Sequence, residues 1–207
     1  MWRAEKLTIG VVGIAFALSG TAALIDQVVW QRILFAGMGV DTASITLIVS
    51  CFMLGLGSGA LLGGCLADHF PARALMIFCL AEVGVGIFAW FSTDFLRALS
   101  DVLLHVSPLW LAVVNFGVLL LPTSMMGATL PVLISYLTRQ WHHVGSATGH
   151  LYAVNTLGAT LGAWLGGFVL FHHMTLDEAV KLAAGLNFLA AGVVALVGNV
   201  WINKGNS

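Results

Sequence analysis

The fold class predicted by this sequence is an all-α polytopic membrane protein of about six transmembrane helices. Three observations predict it. Of the 207 residues, 59% are hydrophobic and 8% are charged, with a mean hydropathy of +1.00. A soluble domain carries roughly a quarter charged residues, so this inventory cannot build a water-facing surface. Next, Leu7–Ile25, Thr42–Leu66, Gly145–Phe171 and Leu182–Asn203 contain no Asp, Glu, Lys or Arg. Each is near or above the ~20 residues that cross a bilayer. Finally, two of these stretches carry glycine at every fourth position, Gly55, Gly59 and Gly63 in one and Gly158, Gly162 and Gly166 in the other. Such rows present a smooth helix face to a neighbouring backbone, where lipid gives no hydrophobic drive for association.

The elements follow in order along one domain, residues 1–207. The first span, about 7–33, is too long and too polar at its far end for a cleaved secretory signal. The second covers about 42–67 and holds the first glycine row. The third, about 74–92, is interrupted only by Glu82. After it, Asp94–His105 (DFLRALSDVLLH) alternates polar and apolar positions with a helical period, which predicts a helix lying in the outer interface. The fourth span, about 108–138, starts at a proline suited to a first helical turn and has Pro122 and Pro131 inside. From Pro108 to Thr138 it would run roughly 46 Å at 1.5 Å per residue, more than one crossing of ~30 Å and less than two. One long helix, kinked or broken around Pro122–Pro131, is the expectation. The fifth span, about 145–171, holds the second glycine row, and the sixth runs over about 180–203. Helices two and five thus occupy equivalent places in two three-helix halves, the pattern of an inverted repeat.

Orientation follows from the few charges. Six spans put both termini on one side with Arg3, Lys6, Arg73, Arg139 and Lys204, and leave Arg32, Arg97 and Lys181 on the other. The excess of basic residues predicts cytoplasmic termini, with the chain in a bacterial inner membrane. Cys51, Cys65 and Cys79 all fall in apolar helices without a CxxC pair, so they read as small packing residues. His142–His143 and His172–His173 are paired on opposite sides and cannot share a metal. No metal, cofactor, lipid anchor or nucleic-acid partner is expected; the bilayer itself is the first partner.

The polar residues inside the spans are the candidate site. SGTAALIDQVVWQR, Ser19 to Arg32, brings Asp26, Gln27 and Arg32 into one greasy helix. Trp30 and Arg32 read as an interfacial cluster, a headgroup-level anchor and a side chain reaching for water. Asp26 and Gln27 can face the bundle, and an acid within a span normally faces protein or a water-filled cavity. Glu82 falls near the bilayer middle, where an unpaired charge costs roughly 3 kcal/mol; the expectation is a neutral acid hydrogen-bonded to a neighbour. Asn155, three residues before Gly158, is the fourth substrate- or proton-binding candidate, and an interhelical hydrogen bond accounts for it equally well. Asn115 and His150 are further polar residues within the spans.

Two resemblances attach to particular motifs. GGCLADHFPARALM, Gly63 to Met76, resembles the signature between the second and third helices of the major facilitator superfamily. Gly64, Asp68 and Arg73 fall on its glycine, acidic and basic positions, while His69 and Pro71 depart from it. The resemblance implies a latch at a cytoplasmic gate. Gly149, Gly158, Gly162, Ala163, Gly166 and Gly167 match the spacing of that superfamily's fifth-helix antiporter motif, with alanine where the motif has the proline that bends the helix.

A second resemblance covers most of the chain. SGTAALIDQVVWQRIL, FMLGLGSGALLGGCLAD, MGATLPVLISYL and GHLYAVNTLGATLGAWLGGFVL are similar to the membrane domain of the fused transporter-like/spermidine-synthase-like proteins. The most specific part is Leu-Tyr-x-x-Asn-Thr-Leu-Gly, Leu151 to Gly158. The resemblance implies a multi-span module associated with a cytosolic aminopropyltransferase-like domain. Asp26-Gln27 stands where that family shows Tyr-Glu, so the acid is shifted by one residue, about 100° around the helix. No glycine-rich nucleotide loop following a strand occurs in these residues, so the family's catalytic activity is not expected in them. Two function classes result: a scaffold or substrate-handling partner for a separately encoded synthase-like enzyme, and a half-sized facilitator-like transporter working as a homo-oligomer. Polyamine is the substrate class that the resemblance implies.

Overall fold

The structure, a computed structural model, describes residues 2–39, 41–103, 108–141 and 143–205. Its long helices are α1 (Trp2–Met38), α2 (Asp41–His69), α3 (Ala74–Leu103), α4 (Pro108–Trp141), α5 (Val144–Leu165) and α6 (Leu176–Gly205). Six helical stretches are long and apolar enough to cross a membrane. A 3-10 turn, Pro71–Arg73, leads into α3, and α5 continues through a π-helical turn, Gly166–Leu170, to a last helical turn, Phe171–His173.

Local chemistry sets the breaks. Gly39 takes φ +69° and its N–H bonds the carbonyl of Phe35, a left-handed helix stop that favours glycine. The stretch Thr175-Leu176-Asp177-Glu178 forms a capping box at the start of α6. Thr175 N–H donates to Glu178 Oε2 at 2.8 Å, and Glu178 N–H donates back to Thr175 Oγ1 at 3.3 Å.

One sequence expectation is corrected here. The interfacial helix over Asp94–His105 is not separate, because α3 runs unbroken to Leu103. Within the segment Leu96 and Ser100 turn to the interior, while Asp94, Arg97 and Asp101 are exposed. The fourth span is one long helix as expected, and of the two forms left open it takes the unbroken one, with Pro122 and Pro131 both inside α4. Thr123 Oγ1 donates to the carbonyls of Leu119 and Leu120, and Thr129 Oγ1 to that of Met126, which occupies acceptors next to the prolines. His105 and His142 lie outside the described residues.

The helices pair as an inverted repeat. α1 lies along α5, α2 along α4, and α3 along α6, with α1 also against α6 and α3 against α4. A β-carbon at Gly158 would strike the backbone of Ala17, at Gly162 that of Thr21, and at Gly20 that of Asn155. In the other half, Gly59 meets Ser124, Gly63 meets Ala128, and Gly127 meets Leu56. The second set repeats the first with Ala17, Gly20 and Thr21 replaced by Ser124, Gly127 and Ala128, and with Asn155, Gly158 and Gly162 replaced by Leu56, Gly59 and Gly63. Exchanging the halves therefore maps α1–α5 onto α4–α2 and α3–α6 onto itself.

This register differs by one helical turn from matching the two glycine rows end to end. Gly59 corresponds to Gly158 and Gly63 to Gly162, so Gly166 has no place in the tight seam. The nearest side-chain atom to a β-carbon at Gly166 is on Phe171, at an ordinary 3.7 Å. Gly166 opens the π-helical turn instead. Gly55 still packs tightly, against the Thr123 side chain.

Candidate functional site

α1 has two working faces. One is the small-residue face against α5. The other is a stripe through Phe16, Ser19, Asp26 and Trp30, spaced three, seven and four residues apart, which is one face of a helix. Its contacts show that this stripe meets α3. The rings of Phe16 and Phe78 meet edge to face at 6.4 Å. Ser19 Oγ donates to Glu82 Oε1 at 2.6 Å. Trp30 Nε1 donates to Ser92 Oγ at 2.9 Å, and its ring meets Phe88 at 5.5 Å. The numbers rise together on both helices, so α1 and α3 run parallel.

Asp26 falls between these two hydrogen-bonded pairs. It is 0% exposed, and neither carboxyl oxygen has a hydrogen-bond partner. Glu82 is 2% exposed, and its Oε2 is unpartnered while Oε1 holds Ser19. The two carboxyls lie within electrostatic reach of each other. α6 closes the seam, antiparallel to α3: Arg97 pairs with Asp177 at one end, and Cys79 Sγ donates to the Ala191 carbonyl further along. Asn187, on the buried stripe of α6 with Ala184 and Ala191, is 2% exposed and its Nδ2 has no partner.

No basic side chain among the described residues enters this seam. Arg32 is exposed and stacks on Phe171 at 4.0 Å, Lys181 lies over Trp90 at 5.9 Å, and Arg97 binds Asp177 at 3.2 Å. Arg73 lies over Phe70, and Arg139 is exposed. The seam is a pair of acids, a hydroxyl and an amide, sealed by aromatic and aliphatic side chains. Its chemistry is that of a proton or of a group that donates hydrogen bonds to carboxyls.

The structure divides the sequence candidates. Asp26 and Glu82 come together. Gln27 does not join them; it is half-buried on the Gly20 side of α1. Asn155 sits across α1, its backbone and side chain against Gly20. Trp30, expected as an interfacial anchor, is fully buried and bonded to Ser92, because the polar stripe of α3 gives its N–H a partner inside. Asp68 is exposed at the end of α2, and Arg73 lies over Phe70, 5.9 Å from the ring, rather than on Asp68. Open space faces Gly64. Two partners, Ser19 and Ser92, and the buried amide Asn187 were missed, because the first two look like ordinary small helix residues and the third like one amide in an apolar span.

The fold and seam define a class: a six-span, all-helical polytopic membrane protein built as an inverted repeat around buried carboxyls. Within that class, the chain is similar to polyamine aminopropyltransferases from two strains of Mycobacterium tuberculosis and from Mycobacterium bovis. It is 28% identical to each over 201 residues, which is 94% of this chain and 36% of theirs. The chain thus spans about a third of the length of the curated relatives it matches. No family model and no solved structure matches.

Proposed function

We propose that the chain is an integral inner-membrane module that serves an aminopropyltransferase-type enzyme, as its scaffold or as the part that handles its substrate. The observation that carries this is the likeness over 94% of the chain to proteins named polyamine aminopropyltransferase. The architecture is suited to the role. Backbone-on-backbone glycine seams make a stiff bundle, and six spans bring both termini to one face, which the basic-residue excess assigns to the cytoplasm. The synthase-like enzyme would sit on that face.

The test is reconstitution. The full chain in lipid nanodiscs, titrated with a purified polyamine aminopropyltransferase, should capture it saturably and alter aminopropyl transfer to a polyamine. Absence of both capture and any change in transfer overturns the reading. Reporter fusions after Lys204 and within Arg139–His143 should report cytoplasm, and a fusion at Asp101 the opposite side. A second reading is favoured by the inverted repeat and the buried acids: a half-sized, facilitator-like transporter acting as a homo-oligomer. Spermidine uptake into proteoliposomes holding this chain alone would replace the first reading with the second.

A further inference from the structure

We propose that Asp26 and Glu82 form a proton-binding dyad. Both carboxyls carry a proton while the seam between α1, α3 and α6 is closed, and the pair releases one when the seam admits water. The proposal stands on the placement of these side chains and not on the aminopropyltransferase reading, so either can fail without the other.

The hydrogen-bond inventory is the first support. An ionised carboxylate has about four acceptor sites to satisfy. Asp26 receives no donor at all and Glu82 receives one, from Ser19. A charge left so bare in a buried apolar seam is costly, whereas a neutral acid has a single O–H to place. Two negative charges in one seam would add repulsion to that cost.

The surroundings offer no countercharge. On α3, the remaining titratable group near the seam is Cys79, which donates to the Ala191 carbonyl. On α6, Asp177 is held by Arg97 at the helix end and Lys181 lies over Trp90. On α5, His150 packs beside Gly13, on the opposite face of α1. On α2, Cys51 turns to the Phe116 carbonyl of α4, whose own buried polar residue, Asn115, is uncharged.

The ligand class follows from space and from Asn187. Clefts open beside Thr46 and Phe116 and beside Arg32, Arg97 and Leu176, and neither carboxyl lines them. A proton needs no cavity. Asn187 adds an unpartnered N–H donor on the buried stripe of α6. In the proposal that donor, bonded to neither acid in the closed seam, solvates the carboxylate once a proton has gone. On release, the O–H bond of one acid breaks, the electron pair stays on oxygen, and the proton passes to entering water.

Infrared spectroscopy of the full chain in nanodiscs tests this through the C=O stretch of protonated carboxyls, which shifts in D2O. At neutral pH the expected signal is two such groups, because Asp68, Asp94, Asp101, Asp177 and Glu178 reach water. Asp26→Asn and Glu82→Gln should each remove one of the two, with the melting temperature retained, and raising the pH should remove signal from the unmodified protein. Absence of the signal at neutral pH, or its survival in both variants, overturns the dyad. A signal that ignores pH up to unfolding marks two inert structural acids and overturns it equally. Where a variant does not fold, labelling of the unmodified protein decides. A hydrophobic carbodiimide should modify Asp26 or Glu82 at neutral pH and lose that reaction in alkali. Failure to label either residue counts against the proposal.

Discussion

The two faces of α1 hold their neighbours by opposite means. Toward α5, Ala17, Gly20 and Thr21 meet Asn155, Gly158 and Gly162 with almost no side chain between the backbones. Toward α3, the same helix offers Phe16, Ser19, Asp26 and Trp30, large or polar groups joined by specific hydrogen bonds. The first face has no atoms to spare and no alternative arrangement. The second contains acid oxygens and an amide with nothing to bond, so it can accept a proton, water or a small movement. A single helix is thus closely packed on one side and holds buried, unpartnered polar groups on the other.

Substitutions can break this contrast, and the largest effect belongs to the tight face. Gly162→Leu places a side chain where the Thr21 backbone already lies, an overpacking expected to cost about 3 kcal/mol or more. Folded protein recovered in detergent and its melting temperature should both fall. Gly57→Leu, on the same class of helix but facing open space, should leave both unchanged. Equal losses, or none, would remove the distinction between seam and surface glycines.

The polar face should respond less. Ser19→Ala deletes the donor to Glu82 and leaves a further buried oxygen without a partner, at a cost of about 1 kcal/mol. Melting should drop modestly, and Ser19→Thr, which keeps the hydroxyl, should restore most of the loss. A drop as large as that of Gly162→Leu would mean that the polar face is as unyielding as the glycine face. The smallest effect is expected at the exposed end. Arg97 and Asp177 meet at 3.2 Å with nearly half of the arginine side chain in solvent. Arg97→Ala should change stability by ~0.5 kcal/mol or less, and less still at high salt. A larger, salt-independent change would place that pair in the structural core.

Much of the fold was legible because a bilayer imposes simple rules. Hydrocarbon admits backbone only as satisfied helices, so charge-free runs such as Thr42–Leu66 and Leu182–Asn203 had to be spans. The site was half legible. Asp26 and Glu82 stood out because acids are rare within spans, yet Gln27 stood out equally and lies on another face.

The sequence by itself determined the membrane class, the number of spans, their alternating direction, and which helices carry close-packing glycines. Each of these follows from composition or from spacing within one helix. The tertiary structure decided the rest. It set the one-turn offset between the two glycine rows and took Gly166 out of the seam. It drew Trp30 inward to Ser92 and carried α3 on to Leu103. It also placed Glu82 on Ser19 across 63 residues of chain. The physical reason is the same throughout. A helical period shows which residues share a face, but which neighbour covers that face depends on how whole helices fit. In a membrane that fit is governed by shape and by hydrogen bonds between residues far apart in the chain.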